Sequence, residues 1–298
     1  MFSVNHIQDQ KNGNDFIELR NSDNSCCAKI DLTLGGSLQE LKFGEKAIIS
    51  TKDMLPYNTM FKSSILFPFA NRIENGCYHF NNKKFKLDKS EIDSHNAIHG
   101  LVHDKTFRFI GQEISEKKAS AILSYEETQP VLGFPFKYDL ILEYVLTNES
   151  LRLNVEIKNK DQQAFPFSLG WHPYFKTDDL YNSRLKINSH KKILVNDKMI
   201  PNGETDIDWN GFLKIEDKAF DDCFELNTNM VELKTPEYHL DFSFSSEENY
   251  LQLYTPNDRK SIAIEPQTAP ANSFNTKVGL KILQPDERYQ LSWKLNLK

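Results

Sequence analysis

Leu151-Arg152-Leu153-Asn154-Val155-Glu156-Ile157-Lys158 alternates strictly between apolar and polar side chains. In an extended chain neighbouring side chains point to opposite faces, so the three aliphatic partners of Leu151 (Leu153, Val155, Ile157) share its face, and Arg152, Asn154, Glu156 and Lys158 share the other. This is the pattern of a half-buried strand. The preceding run from Tyr138 to Thr147 is also extended in character, and Asn148-Glu149-Ser150 between the two is a turn of hairpin length. The two segments are expected to pair as an antiparallel hairpin.

The same period recurs downstream at Leu240, Phe242 and Phe244, and at Leu291, Trp293, Leu295 and Leu297. Shorter strand candidates lie at Asp15 to Leu19, Ala28 to Leu34, Leu38 to Phe43, Thr106 to Ile114, Ala119 to Tyr125, Val231 to Leu233 and Tyr250 to Thr255, with turn signals at Gly35-Gly36, Asn81-Asn82 and Glu116-Lys117-Lys118. No amphipathic segment of about 12 residues or more competes as a helix. Many strands in succession without crossover helices point to an all-β chain, a large antiparallel β-sandwich. No Pro-, Gly- or Ser-rich linker and no fixed repeat divides it, so residues 1–298 are expected to form one domain.

The 298 residues carry 36 Lys and Arg against 42 Asp and Glu, a net charge of -6, with no basic block to neutralise a row of phosphates. That disfavours nucleic acid as a partner. No stretch approaches the roughly 20 apolar residues that span a bilayer, and Met1-Phe2-Ser3-Val4-Asn5-His6 lacks a basic segment followed by an apolar run. A soluble cytoplasmic protein, monomer or homodimer, is the expectation. Cys26 and Cys27 should point to opposite faces of a strand, and Cys77 and Cys223 form no C-x-x-C pattern, so four free thiols are expected.

Chemistry concentrates in five segments. In Ser168-Leu169-Gly170-Trp171-His172-Pro173-Tyr174-Phe175 one imidazole, able to move a proton near neutral pH, sits between an indole and a proline. An indole face can stack on a sugar ring; the plain alternative is an aromatic mini-core. Ile262-Ala263-Ile264-Glu265-Pro266 ends an apolar strand in a carboxylate, whose pKa desolvation should raise, as suits a general base. Asn71 and Arg72 lie in a loop before the hairpin Cys77 to Leu87, where a guanidinium offers a fixed fork of donors to hydroxyls or ties the loop to itself. His99 precedes Gly100, which lets the backbone approach a ligand. His95, His99 and His103 are spaced as metal ligands would be on a helix, but Gly100 and the strand signals around it speak against a helix, and no metal is expected. Asp221 and Asp222 sit between Phe220 and Phe224, poised either to accept hydroxyl hydrogens or to cap a turn.

Taken together, these segments resemble the aldose 1-epimerase (galactose mutarotase-like) family. The resemblance rests on Asn71-Arg72-Ile73 followed by Gly76, on His99-Gly100, on His172 to Phe175 as H-x-Y-F, on Asp221 to Phe224 as D-x-x-F, and on Glu265-Pro266 with Asn272 beyond. It runs from about residue 15 to the end and implies a large antiparallel β-supersandwich. It further implies Glu265 as general base and His172 as general acid, with Arg72, His99 and Asp221, beside Asn71 and Trp171, around a monosaccharide, and no cofactor or metal. Opening and closing the ring between them would interconvert the α and β anomers of a free aldose. Two departures bear on the substrate. His99-Gly100 is followed by Leu101 where members acting on galactose or glucose commonly carry a second glycine, and Trp171 stands where they often have a polar residue. The alternatives are a hexose-6-phosphate 1-epimerase, which needs converging cations, and a non-catalytic sugar-binding module on the same scaffold.

Overall fold

The computed structural model of the chain describes residues 1–9, 13–52, 56–88, 90–91, 95–245 and 249–298. Tyr138–Leu146 and Ser150–Asn159 pair antiparallel, setting Leu146 opposite Leu151, Tyr144 opposite Leu153, Leu142 opposite Val155 and Leu140 opposite Ile157. All of these side chains are buried. The Thr147 amide donates to the Ser150 carbonyl at 2.8 Å and closes the turn. On its other side Ser150–Asn159 pairs with Arg288–Leu297, bringing Trp293 against Leu153. A one-residue slip would turn the whole apolar face to water, so the register is strongly specified.

This hairpin lies in a fifteen-stranded sheet. From Arg108–Ile114 its order runs through Ala119–Glu126, the hairpin, Arg288–Leu297, His239–Phe244, Met230–Lys234, Arg184–Val195, Asp221–Leu226, Tyr250–Tyr254 and Ser261–Gln267 to Gly170–Trp171 and Ile65–Leu66. The N-terminal strands, from Phe2–Asp9 to Lys46–Ser50, form a separate five-stranded antiparallel meander. Buried apolar side chains from Phe2 to Leu295 make one connected core, and the Tyr144 hydroxyl donates to the Gly36 carbonyl at 2.7 Å. Among the described residues the α-helices are single turns, Tyr57–Met60 and Ser273–Thr276, and no helix is long and apolar enough to cross a membrane. The fold is thus the antiparallel all-β architecture expected.

Several strands lie outside the expected set. Phe2–Asp9, Lys46–Ser50, Arg184–Val195 and Pro201–Lys214 form strands that apolar alternation did not mark. Pro201–Lys214 is largely exposed and pairs along Arg184–Val195; its first half is held by that pairing, and Ile207, Trp209 and Leu213 of its second half pack against the core. The strand expected from Ala28 to Leu34 instead spans Cys26–Asp31 and gives way to a turn. The four cysteines are free, with Cys26 buried and Cys27 half-buried.

One backbone contact fixes the wall beside the site. Gly100 has φ +78°, and a Cβ there would lie 2.2 Å from the Phe67 carbonyl oxygen, which accepts the Leu101 amide at 2.8 Å. Neither the left-handed conformation nor the space tolerates a side chain. Gly100→Ala is expected to cost at least about 3 kcal/mol, combining positive-φ strain with overpacking against backbone. Urea denaturation of the two proteins measures it, and a loss below about 1 kcal/mol would contradict the contact.

Candidate active site

The strand Ser261–Gln267 is buried along its whole length. Tyr250–Tyr254 pairs along one side of it, setting Gln252 opposite Glu265. On the other side the partner is interrupted: Gly170 pairs with Gln267, and Tyr174–Lys176 pairs from Ala263 to Ser261. Both pieces keep one register, and it brings His172 opposite Glu265. In that gap the His172 amide turns to the Ser64 carbonyl and the His172 carbonyl accepts from the Ser63 amide, so the backbone stays satisfied outside the ladder.

The His172 Nε2 stands 3.4 Å from the Glu265 Oε1, with the two residues 5% and 2% exposed. Tyr174 stacks on the imidazole at 5.0 Å and 14°, and the His99 ring meets it edge-on at 5.0 Å. Burial pushes the His172 imidazole down to about 3. Burial also lifts the Glu265 carboxyl well above its ordinary value, and the nearby Asp221 charge adds to the rise; a hydrogen bond from Gln267 and the Arg72 charge oppose it. Desolvation thus disfavours both charged forms, and the pair is best described as sharing one proton. The imidazolium implied by resemblance is not the form that burial favours at rest. His99 is likewise depressed, first by burial and then by His172, Arg72 and His103.

A two-strand ladder delivers the remaining polar groups. Arg72–Ile73 pairs with Ala97–Ile98, and the His99 amide donates to the Asn71 carbonyl at 2.9 Å. Asn71 and His99 both have positive φ, so the chain turns their side chains out of the ladder. Arg72 is gripped by Glu91, Nε to Oε1 at 2.9 Å and Nη2 to the same oxygen at 2.7 Å. Asn272 accepts the Glu74 amide with its side chain and donates its own amide to the Arg72 carbonyl at 2.6 Å, anchoring that turn.

Asp221 opens the strand Asp221–Leu226 and accepts the Gln252 amide at 2.9 Å; Gln252 in turn accepts from Asn71 at 3.4 Å. The cavity walls raise the Asp221 carboxyl by desolvation, and Arg72 opposes this. Asp222, one residue on, faces away and pairs with Lys192 at 2.6 Å.

Asn71, Arg72, His99, His172, Asp221 and Glu265 all line one cavity of about 450 Å³. Tyr174 of the H-x-Y-F motif lines it too, as do Thr59, Phe61, Glu91, Gln252 and Tyr254, which the sequence did not single out as site residues. Gln252 owes its place to pairing opposite Glu265, a relation that local pattern does not encode. The Nδ1 atoms of His99 and His172 are buried without a hydrogen-bond partner, which suits a ligand rich in hydroxyls. Trp171 is corrected: fully buried, it stacks on Trp293 at 5.9 Å, donates its indole N–H to the Ser63 carbonyl at 3.1 Å and does not line the cavity. It packs beneath the site.

A family model for aldose 1-epimerase matches residues 15–296. The chain belongs to the aldose 1-epimerase family. The uncharacterized protein YihR of Escherichia coli K12 is 28% identical over 281 residues, covering 89% of this chain and 88% of its own. A galactose mutarotase-like protein from Clostridium acetobutylicum, 22% identical, superimposes with a TM-score of 0.87 over 100% of this chain and 98% of that one. A galactose 1-epimerase from Lactobacillus acidophilus NCFM, 19% identical, gives 0.82 over 100% and 98%. At these identities the two structures establish a shared fold.

His95, exposed, and His103 stand with His99 on a non-helical segment, so the helical metal spacing is not realised. Among the described residues one trio of metal-capable side chains converges, Glu232, His239 and Asp241, outside the cavity. Ammonium groups already fill it: Lys298 lies 2.9 Å from Glu232 and 2.8 Å from Asp241, and Lys186 lies 2.8 Å from Glu232.

The pKa shifts give stability a pH dependence of known sign. Below about pH 6.5 the unfolded chain protonates His172 and His99 while the folded chain does not, so stability falls on acidification. Glu265 acts oppositely: from about 4.5 up to its raised value the folded chain alone holds the proton, so its contribution falls as pH rises. Glu265→Gln removes that opposing contribution. Between pH 6.5 and 5 the variant should lose stability more steeply than wild type, by up to about 1.4 kcal/mol per pH unit, as measured by denaturation at each pH. Equal slopes would show that Glu265 is not protonated in the folded protein.

Proposed function

We propose that this protein is an aldose 1-epimerase, a mutarotase interconverting the α and β anomers of a free aldose. The observation that carries the proposal is the placement of the His172 imidazole opposite the Glu265 carboxyl, at one end of a sugar-sized cavity. In the working form Glu265 is the carboxylate and His172 holds the shared proton. A sugar hydroxyl donating to the carboxylate stabilises that charged form and draws the proton to the imidazole. Glu265 then takes the proton from the anomeric hydroxyl while His172 protonates the ring oxygen. The C1–O5 bond breaks and C1 becomes an aldehyde carbon. Rotation about C1–C2 presents its other face; the ring oxygen attacks, its proton returns to His172, and Glu265 returns the first proton to O1. Each group ends as it began, so no external acid, base or redox partner is consumed.

The charge of the cavity favours a free sugar over a phosphorylated one. Arg72 is the single Lys or Arg among its described lining residues, and Glu91 occupies two edges of the guanidinium. With the His172 and Glu265 pair net neutral, Asp221 and Glu91 are the further carboxyls of the wall, and they disfavour a phosphate dianion. A module that merely bound sugar would need neither a buried acid nor a buried base, and burying the pair unused costs stability.

Polarimetry on freshly dissolved α-D-glucose and α-D-galactose tests the activity. Glu265→Gln and His172→Ala should each lower turnover by at least about 100-fold, the lower range for a lost positioned acid or base. Near-normal rates in folded variants would remove both roles, and a preference for glucose 6-phosphate would overturn the free-aldose assignment.

The pH profile offers a second check. Because burial depresses His172, the pair does not take up a second proton near pH 6.5, so kcat/KM should stay level from about pH 7.5 to 5.5. An acid limb centred near 6.5 would mean that His172 titrates as a solvated imidazole.

A further inference from the structure

Arg72 brings a guanidinium to the wall of the catalytic cavity, but not as a free cation. Its Nε lies 2.9 Å from Glu91 Oε1 and 3.1 Å from Oε2, and its Nη2 lies 2.7 Å from Oε1. Nε and Nη2 are neighbouring donors on one side of the guanidinium, an edge with which arginine grips a carboxylate or a phosphate. Nη1 donates to the Asn71 side-chain oxygen at 3.3 Å. Glu91 therefore occupies, from within the chain, the place that an acidic group of a ligand would take.

The carboxylate is built into that place. Asn96 is fully buried; its side-chain amide donates to Glu91 Oε2 at 3.2 Å and to the Lys198 carbonyl at 3.1 Å, and its side-chain oxygen accepts the Asn75 amide at 3.1 Å. One side chain thus ties Glu91 to the turn Glu74–Gly76 and to the tip of the hairpin formed by Arg184–Val195 and Pro201–Lys214. The backbone closes on the same residues: the Glu91 amide donates to the Asn96 carbonyl at 3.1 Å, and the Glu91 carbonyl accepts the His95 amide at 3.0 Å. A glutamate wandering on the surface would have none of these ties.

Charge decides what the arrangement does. The Arg72 and Glu91 side chains are 15% and 21% exposed, so water screens them little, and opposite charges this close largely cancel at the distance of a sugar substituent. A neutral ring is not penalised, because the guanidinium has further N–H donors for its hydroxyls. An acidic ring meets the Asp221 carboxyl with no net cation to offset it. Without Glu91 the same guanidinium would be an uncompensated cation with its paired edge open, in a cavity otherwise suited to neutral sugars.

We propose that Glu91 is the specificity-determining residue that confines the site to neutral sugars, an internal carboxylate masking an anion-binding fork on Arg72. The inference rests on the mutarotase reading, and it goes beyond the overall charge of the wall by assigning the exclusion of acidic sugars to one side chain whose removal reverses it. The fork already holds a planar carboxylate, so the class admitted once Glu91 is gone is the hexuronic acids, aldoses with a carboxylate at C6. Their anomeric carbon offers His172 and Glu265 the same chemistry. Glu91 takes no part in the proton transfers.

Mutarotation of freshly dissolved galacturonate and glucuronate, measured beside galactose and glucose near neutral pH, tests the assignment on wild type, Glu91→Gln and Glu91→Ala. Wild type should favour the neutral sugar of each pair in kcat/KM. In Glu91→Gln the ratio of kcat/KM for hexuronate to that for the neutral sugar should rise at least about 10-fold, the lower range for a hydrogen bond to a charged group, and chiefly through KM. Glu91→Ala, which opens the fork without leaving a side-chain amide to refill it, should show the same rise. Combining Arg72→Gln with Glu91→Gln should abolish the gain. An unmoved ratio in folded Glu91 variants, with both sugar classes slowed alike, would make the ion pair a structural tie and overturn the proposal. Wild type that turns over hexuronates as readily as neutral sugars, or a gain that survives Arg72→Gln, overturns it too. If no sugar is turned over by any form, the mutarotase reading has failed, and calorimetric titration with galacturonate and galactose decides the masking: galacturonate binding tighter in Glu91→Gln than in wild type supports it, and equal or absent binding rejects it.

Discussion

The site depends on one costly placement: a carboxyl and an imidazole held 3.4 Å apart where neither reaches bulk water. Each group alone would be expensive to charge there, and each is shifted toward its neutral form. A shared proton lets the pair stay net neutral while keeping two alternative positions for that proton close in energy. An acid and base that must exchange roles on the two faces of a ring need this property. The expense is met by the sheet around them, where Ser261–Gln267 is buried on both faces and paired on both edges.

The remaining polar groups follow from the same burial. Gln267 donates to the second Glu265 oxygen at 3.3 Å, and Gln252 joins Asp221 to Asn71, so side chains that would otherwise be unsatisfied hold one another in place. Glu91 absorbs much of the Arg72 charge and leaves a site of modest, acidic field. The Nδ1 atoms of His99 and His172 are buried without hydrogen-bond partners, on two residues that line the cavity. Pairing with Arg72–Ile73 and the tight Gly100 contact with Phe67 hold residues 97–101 as a rigid wall beside the site.

Much of the architecture was legible in the chain. Leu151 to Lys158, Leu240 to Phe244 and Leu291 to Leu297 announced half-buried strands because the pleat has a period of two and the core accepts one face. The polar first half of Pro201–Lys214 was not legible, since it is exposed and held by pairing with Arg184–Val195. Trp171 was misplaced for a related reason. Its position beside His172 says nothing of which face of the strand it takes, and alternation sends it down onto Trp293 while the imidazole turns to the cavity.

By itself the sequence determined that this chain is a many-stranded antiparallel protein, and its spaced short motifs marked the residue types able to move protons and hold hydroxyls. The tertiary structure alone decided that His172 faces Glu265, that Asp221 and not Asp222 lines the cavity, and that Gln252 and Glu91 belong beside them. Periodicity is a local property, written into neighbours two residues apart. Proton transfer and desolvation depend on groups such as His172 and Glu265, 93 positions apart in the numbering (265 minus 172), meeting within a few ångströms, and strand register sets that distance.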